Sequence, residues 1–360
     1  MRLAVLIVGL VLLRLAVYAV LAVPHGGLAE AMCQFDCGWY ERIALAGYGA
    51  DAQWPPNCSL PHWAFFPLYP LALRAAVALT GLPARLAGIL LSSLFLAGFM
   101  AAEAAYLRRS RGGQAAPERF VVLVAVAPFS FFYSALYTEA LFALLVTLAL
   151  LGLSCARPGA GAVAAALASA TRPTGVLLTP VFAVRGLLAW RREGPRALLP
   201  AVIAPLGLVV FMAAQWIEVG DPLAFSHVQA LWGRVWLGPH VHLWQGLAAW
   251  DWSELNGLMA HPSRSFFAAS GVLGLVVALF LAARRRWAEA WLLAAATLLP
   301  ASTALDSMTR YVLCNPVFLF ALHDMLAPLG RRMAVVALVL LALLGLVPLL
   351  AWMQPSGGVF

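Results

Sequence analysis

Two kinds of residue in this sequence can do chemistry. The first is Asp36, in the stretch "CQFDCGWYERIALAGYG" (33–49), a carboxylate beside Trp39 and Tyr40 just past an apolar N-terminal segment. The second is a pair of arginines, Arg172 and Arg310, that stand alone at the ends of apolar segments instead of in arginine runs. A carboxylate in a dry cleft can accept a proton, and a guanidinium offers a fork of donors that fits phosphate oxygens. Charges inside a membrane protein are functional candidates by default. Glu139, with Tyr137 two residues before it, can hydrogen-bond hydroxyl groups or orient Arg172. His227, Gln229 and Arg234 add polar groups in "GDPLAFSHVQALWGR" (220–234), and Tyr311 follows Arg310.

If the residues after Asp36 form a surface helix, 100° per residue places Tyr40, Ile43 and Gly47 on the Asp36 face, with Trp39 nearby. Glu41 and Leu45 point the other way, so Asp36 looks toward the mouth of the bundle. Each candidate also has a plain structural role open to it. Asp36 can be the N-cap of its helix, with Trp39 and Tyr40 as interfacial anchors. Arg172 can lock two helices by pairing with Glu139, Arg310 can pair with Asp306, and Glu139 can serve a helix N-terminus. His240 and His242 lack a clear third ligand, so no metal and no cofactor is expected.

The elements that must position these residues are read from composition. Of 360 residues 63% are hydrophobic and 11% charged, against roughly a quarter charged in soluble domains, which implies an integral membrane protein of helical type. The net charge of +8 does not point to nucleic acid: all 23 basic residues are Arg, clustered between apolar segments as topology signals. With no Lys there is no P-loop. Expected spans are 3–23, 84–107, 119–137, 139–156, 159–172, 174–190, 196–217, 265–283, 288–305, 311–326 and 333–353. The arginine runs at 108–119, 157, 191–196, 284–286 and 331–332 then share the cytoplasmic side. Two long connections, 24–62 and 218–264, face outward, provided that 64–81 is interfacial or re-entrant, broken by Pro67 and Pro70. Cys33 or Cys37 can bridge to Cys58 in the first outer loop.

The stretches "FDCGWYERIALAGYG", "FFPLYPLALR" (65–74), "FFYSALYTEALF" (131–142), "ASATRPTGVLL" (168–178), "GDPLAFSHVQALWGR" and "SMTRYVL" (307–313) follow one another over most of the chain. Together, in that order, they resemble the PIG-V type of mannosyltransferase among the GT-C glycosyltransferases, a family named for the enzyme that adds the second mannose of GPI anchors and that has bacterial relatives. The resemblance implies an all-α polytopic membrane protein, one GT-C-like helical bundle over residues 1–360, with about 10–12 transmembrane helices and interfacial helices in the first outer loop. It implies an inverting transferase that takes a sugar, mannose by analogy, from a polyprenyl-phosphate donor to a glycolipid, glycan or protein hydroxyl, with the bilayer and not nucleic acid as its setting. The family's loop aspartate maps onto Asp36 as the base.

Arg172, Arg310, His227 and Arg234 would hold the donor phosphate, and Trp39, Tyr40, Tyr137, Glu139, Gln229 and Tyr311 the sugar or acceptor. The bent aromatic segment "FFPLYP" would suit an isoprenoid groove. The Ala- and Arg-rich, Lys-free composition fits a bacterial inner membrane with the site on the periplasmic side. The rival reading is a lipid or solute transporter or flippase, since intramembrane charges also mark transport paths.

Overall fold

A computed structural model of the chain describes residues 2–49, 61–111, 116–250 and 264–354. Asp51, Cys58, Asp251 and Glu254 lie outside these, and with them any pairing of Cys58. Among the described residues the structure is all helical. The first half holds α1 (Arg2–Leu21), α2 (Leu28–Ala31), α3 (Cys37–Ala46), α4 (Leu68–Thr80), α5 (Ala84–Arg111), α6 (Pro117–Val126), α7 (Glu139–Ser154) and α8 (Pro158–Ser169). Then follow α9 (Leu178–Glu193), α10 (Leu199–Ile203), α11 (Leu206–Val219), α12 (Ala224–His227) and α13 (Pro239–Ala248). The chain closes with α14 (Arg264–Ala283), α15 (Trp287–Ala301), α16 (Met308–Leu313), α17 (Pro316–Leu326) and α18 (Arg331–Trp352).

Among the described residues, five stretches are long and apolar enough to cross a bilayer: Arg2–Leu21, Ala84–Ser110, Pro173–Ile203, Arg264–Ala283 and Arg331–Trp352. Leu206–Val219 with Ala224–Trp232 makes a sixth if that pair, bent by 87°, is one span. Five more apolar helices, α4, α7, α8, α15 and α17, have between 11 and 16 residues. At 1.5 Å per residue they reach roughly 16–24 Å, short of a hydrocarbon core of about 30 Å. The chain is a multi-pass membrane protein in which full-length spans enclose shorter, broken ones.

The breaks have one local cause. Proline lacks an N–H and drives the residue before it out of the helical region. Ala127, before Pro128, has ψ 140°, so α6 ends at Val126 instead of running on to 137 as the apolar pattern predicts. Arg172, before Pro173, is extended at φ −153° and ψ 147°. Asn315, before Pro316, has ψ 128° and caps α17 by accepting the Val317 N–H, which splits the predicted span 311–326.

Backbone freed at such depth must find partners inside the protein. The Tyr133 hydroxyl donates to the Cys314 carbonyl at 2.6 Å, the Cys314 thiol to the Phe129 carbonyl at 3.3 Å, and the Leu68 N–H to the Ala170 carbonyl at 3.1 Å. The first and third breaks are therefore tied to each other, and the second to α4.

Arg14 completes the arrangement from α1. Buried and lacking a carboxylate partner among its contacts, it donates to the carbonyls of Ala125 and Ser130 and to the Ser130 hydroxyl, at the negative end of the α6 dipole. Replacing Arg14 with Met is expected to destabilise the bundle by about 1.5–3 kcal/mol, the worth of a charge-assisted hydrogen bond, with Arg14→Lys in between. Thermal unfolding in detergent checks this; a midpoint unchanged in Arg14→Met would contradict the assignment.

Helix α4, at 13 residues, is too short to cross a bilayer unbent. Tyr69 near its start meets Tyr40 edge-on with ring centroids 5.5 Å apart, Arg74 donates to the Ala44 carbonyl at 2.6 Å, and Arg85, past its end, donates to Glu41 at 3.1 Å. It packs along α3. The prolines expected to break it open it instead: Pro67 is its N-cap, and Pro70 falls in the first turn, where an N–H would have no helical partner. At the far end of the bundle Arg109 donates to the Ser154 carbonyl, Arg119 to the Leu326 carbonyl, and Arg286 pairs with Glu289 and Asp324. Helix α7 separates this end from Glu139 by about 24 Å.

The cysteines also differ from expectation. Cys33 and Cys37 are joined to each other, so neither is available to Cys58. Cys155 is exposed at the end of α7, and Cys314 is buried in the third break.

Candidate active site

The three breaks deliver the site. Tyr137 and Glu139 follow the first, Arg172 forms the second, and Arg310 and Tyr311 precede the third. The loop leading into α3 brings Asp36 to them across 274 residues of sequence.

Asp36 occupies the N-cap position of α3, yet its side chain makes no capping bond. Its Oδ2 instead accepts from Arg310 at 3.0 Å. The burial pattern of α3 follows the predicted face, with Cys37, Tyr40, Ile43 and Ala44 inside and Leu45 out. The Tyr137 hydroxyl accepts the Asp36 N–H at 3.1 Å and donates to the Gln34 carbonyl at 3.0 Å, gripping the backbone beside the carboxylate. Burial, then the Asp36 and Glu139 carboxylates, push the Tyr40 phenol above its usual value, so Tyr40 stays protonated.

Glu139 sits at the centre of the cations. Its Oε1 lies 2.9 Å from Arg172 and 3.3 Å from Arg310 Nε, which holds the two guanidinia side by side. Asp306 is exposed and is not the partner of Arg310. The side chain of Glu139 is 1% exposed and that of Asp36 33%, so of the two carboxylates only Asp36 is within reach of an arriving molecule. Arg234, from the segment before α13, hydrogen-bonds the Tyr311 phenol. The Arg172 guanidinium lies 5.3 Å, and that of Arg310 5.5 Å, from the Tyr311 ring centroid. Three guanidinia against two carboxylates leave an unbalanced positive charge.

Arg172, Arg310, Thr174, Tyr311, Asn315 and Phe142 line a small pocket of about 20 Å³. Thr138 Oγ1, Glu139 Oε2, Thr309 Oγ1 and Arg310 Nε are buried without a hydrogen bond. Each such atom costs about 1–3 kcal/mol. Of these, the Thr138 and Thr309 hydroxyls and the Arg310 N–H can donate to an incoming oxygen, and the Glu139 oxygen can accept from a hydroxyl.

Tyr311 lies in α16, outside the apolar helices. Burial opposes ionisation of its phenol, but Arg234, Arg310 and Arg172 outweigh it and bring it down to about 8. A phenolate there competes with an incoming anion for the same guanidinia. Affinity for an anionic ligand is therefore expected to fall as pH rises through 8, and Tyr311→Phe to flatten that dependence. Binding of a lipid phosphate titrated between pH 7 and 9 measures it; an equal slope in both proteins would contradict the role of Tyr311.

The turn after Arg172 depends on Gly175. A Cβ there would lie 2.3–2.4 Å from the backbone of Ala168. Gly175→Ala is expected to cost about 1–3 kcal/mol of stability and to displace Arg172. Anion affinity and unfolding midpoint both equal to wild type would contradict this.

Not every predicted residue joins the cluster. His227 is exposed, its Nδ1 bonded to Asp221 at 2.7 Å, and the Gln229 amide N–H donates to the Phe225 carbonyl at 3.2 Å, so each makes a local bond and neither contacts the cluster. Trp39 stacks on Phe65 at 5.7 Å, at the edge of the site. The aromatic segment does not form an open groove: Phe65, Phe66 and Tyr69 are buried, with Phe66 packed on Phe211 and Tyr69 bonded to Ser92. His242 Nε2 bonds the Val235 carbonyl, and no group of three metal-ligating side chains occurs among the described residues. Sequence reasoning passed over Arg14, Thr138, Thr309 and Asn315. Arg14, a lone charge inside the first apolar segment, was the one with a visible signal.

No protein-family model matches the chain, and no curated protein matches it. Among solved structures it is similar to the archaeal oligosaccharyltransferase AglB from Archaeoglobus fulgidus, in complex with an inhibitory peptide and a dolichol-phosphate, with 14% sequence identity and a TM-score of 0.45. The match covers 97% of this chain and 56% of that one, so the chain spans little more than half the length of that protein.

Proposed function

We propose that the chain is an inverting GT-C-type glycosyltransferase, similar to the PIG-V mannosyltransferases, that moves a sugar from a polyprenyl-phosphate donor to a hydroxyl of a glycolipid, glycan or protein. The observation that carries this reading is the pairing of a reachable carboxylate, Asp36, with a buried guanidinium cluster of excess positive charge in a wall of broken helices. The acceptor oxygen attacks the anomeric carbon, its proton passes to Asp36, and the carbon–oxygen bond to phosphate breaks with its electron pair going to the departing polyprenyl phosphate. Arg310, Arg172 and Arg234 stabilise the charge that grows on that phosphate, where desolvation strengthens their effect. A phosphate arriving at Arg310 competes with Asp36 for the guanidinium and frees the carboxylate. The acceptor hydroxyl turns acidic only as its bond to carbon forms, so a carboxylate suffices as base.

Mannose is the donor sugar of choice and the periplasmic face of a bacterial inner membrane the proposed place, with the arginine-rich end of the bundle in the cytoplasm. The test is transfer of radiolabelled mannose from polyprenyl-phosphate mannose by the purified protein in nanodiscs, against lipid, glycan and peptide acceptors. Transfer to one class is expected. No transfer to any, together with movement of the carrier lipid across a proteoliposome bilayer, would favour the transporter instead.

A further inference from the structure

Asp36 lies inside a small covalent ring. Cys33 and Cys37 are bridged, Cα atoms 5.2 Å apart, and Asp36 is the last residue before the ring closes. Within the ring Phe35 takes the left-handed region at φ 47°, which few non-glycine residues enter without support. Its ring rests against Trp352, centroids 5.3 Å apart, and Tyr137 grips the peptides on either side of it.

The backbone of Asp36 explains why the ring matters. An aspartate at an N-cap normally takes an extended conformation and folds its carboxylate onto the first free N–H groups of the helix, for about 1 kcal/mol. Here Asp36 is held at φ −61° and ψ −17°, in the helical region, and no capping bond forms. The carboxylate is left to reach Arg310. Two destinations compete for one side chain, and the backbone dihedral decides between them.

We infer that the Cys33–Cys37 disulfide is a positioning pair for Asp36: it holds the loop in the bend that denies Asp36 its capping bond and turns the carboxylate toward Arg310. Two electrons from a dithiol cleave the bridge to two thiols, the dithiol leaving as its cyclic disulfide. The loop can then extend at Asp36, and the carboxylate swings to the start of α3. The consequence for turnover rests on the transferase reading above; the effect on the loop does not.

The test uses the full chain in nanodiscs, oxidised or treated with dithiothreitol, with thiols at Cys33 and Cys37 verified by peptide mass mapping. Reduction is expected to lower kcat by about tenfold to a hundredfold, as small displacements of reacting groups do. Donor KM should hold, and hydrogen exchange should rise in residues 33–40 alone. Oxidised glutathione should restore both, and the double variant Cys33→Ser, Cys37→Ser should match the reduced protein and ignore reductant. Unchanged kcat and exchange in verified dithiol protein would overturn the inference, as would a rise in exchange throughout the bundle with loss of donor binding, the mark of a general structural bridge. If the oxidised protein moves no sugar, the transferase reading fails, and exchange at 33–40 still decides the positioning role.

Discussion

Asp36→Asn is expected to lower sugar transfer by about 10²–10⁴-fold, the usual worth of a positioned general base, with folding and donor binding preserved. Asparagine is nearly isosteric, fits an N-cap, and its amide oxygen can still accept from Arg310, so the contact at 3.0 Å survives with reduced strength. What it loses is the ability to take a proton. Removing the negative charge also relieves a competitor for Arg310, so donor affinity should hold or rise slightly while kcat collapses. That split separates a base from a structural cap, which would move stability and spare kcat. Steady-state transfer with varied donor, alongside a thermal unfolding midpoint, resolves the two.

Replacing Arg310 has the second large effect, on stability and activity together. Its guanidinium is the cation shared by Asp36 and the buried Glu139. Arg310→Met leaves the half-buried Asp36 without its cation and the buried Glu139 with Arg172 alone, at an expected cost of about 1–3 kcal/mol, less than the full stranding of a buried charge. Transfer should become undetectable. The double variant Arg310→Met, Glu139→Gln should cost less than the sum of the two single changes, a coupling characteristic of residues in contact, with no return of transfer. Arg310→Lys keeps the charge and loses the fork, so it should fold well and turn over slowly. Unfolding midpoints that simply add in the double variant would contradict the shared network.

Part of this site was legible beforehand. Helical spacing placed Tyr40 and Ile43 inside and Leu45 outside α3, because a helix at an interface sorts its faces by polarity, and the structure agrees. Arg172 and Arg310 stood out because an arginine costs too much in an apolar segment to be incidental. The meeting of Asp36, Glu139 and Arg310 was not legible, since spacing within one helix says nothing about contacts between segments 171 and 274 residues apart in sequence, such as Glu139 to Arg310 and Asp36 to Arg310.

The helix breaks were legible in principle. Ala127–Pro128 and Asn315–Pro316 were outweighed by the apolar runs around them, whereas what fixes the geometry is the steric clash each proline imposes on the residue before it. His227 and Gln229 stand apart from the cluster, with His227 Nδ1 on Asp221 and the Gln229 amide N–H on the Phe225 carbonyl, contacts within one segment that polarity alone does not reveal.

The proposed chemistry is a single displacement by one carboxylate, and the anomeric configuration of the product tests it. Donor carrying ¹³C at the anomeric carbon, followed by NMR of the glycosylated acceptor, reads that configuration directly. Asp36 acting as base on the acceptor requires inversion relative to the donor. Retention would require a covalent glycosyl-enzyme, with a second carboxylate as nucleophile or acid partner, and Glu139, bridged to Asp36 by Arg310, would then have to take part in the chemistry.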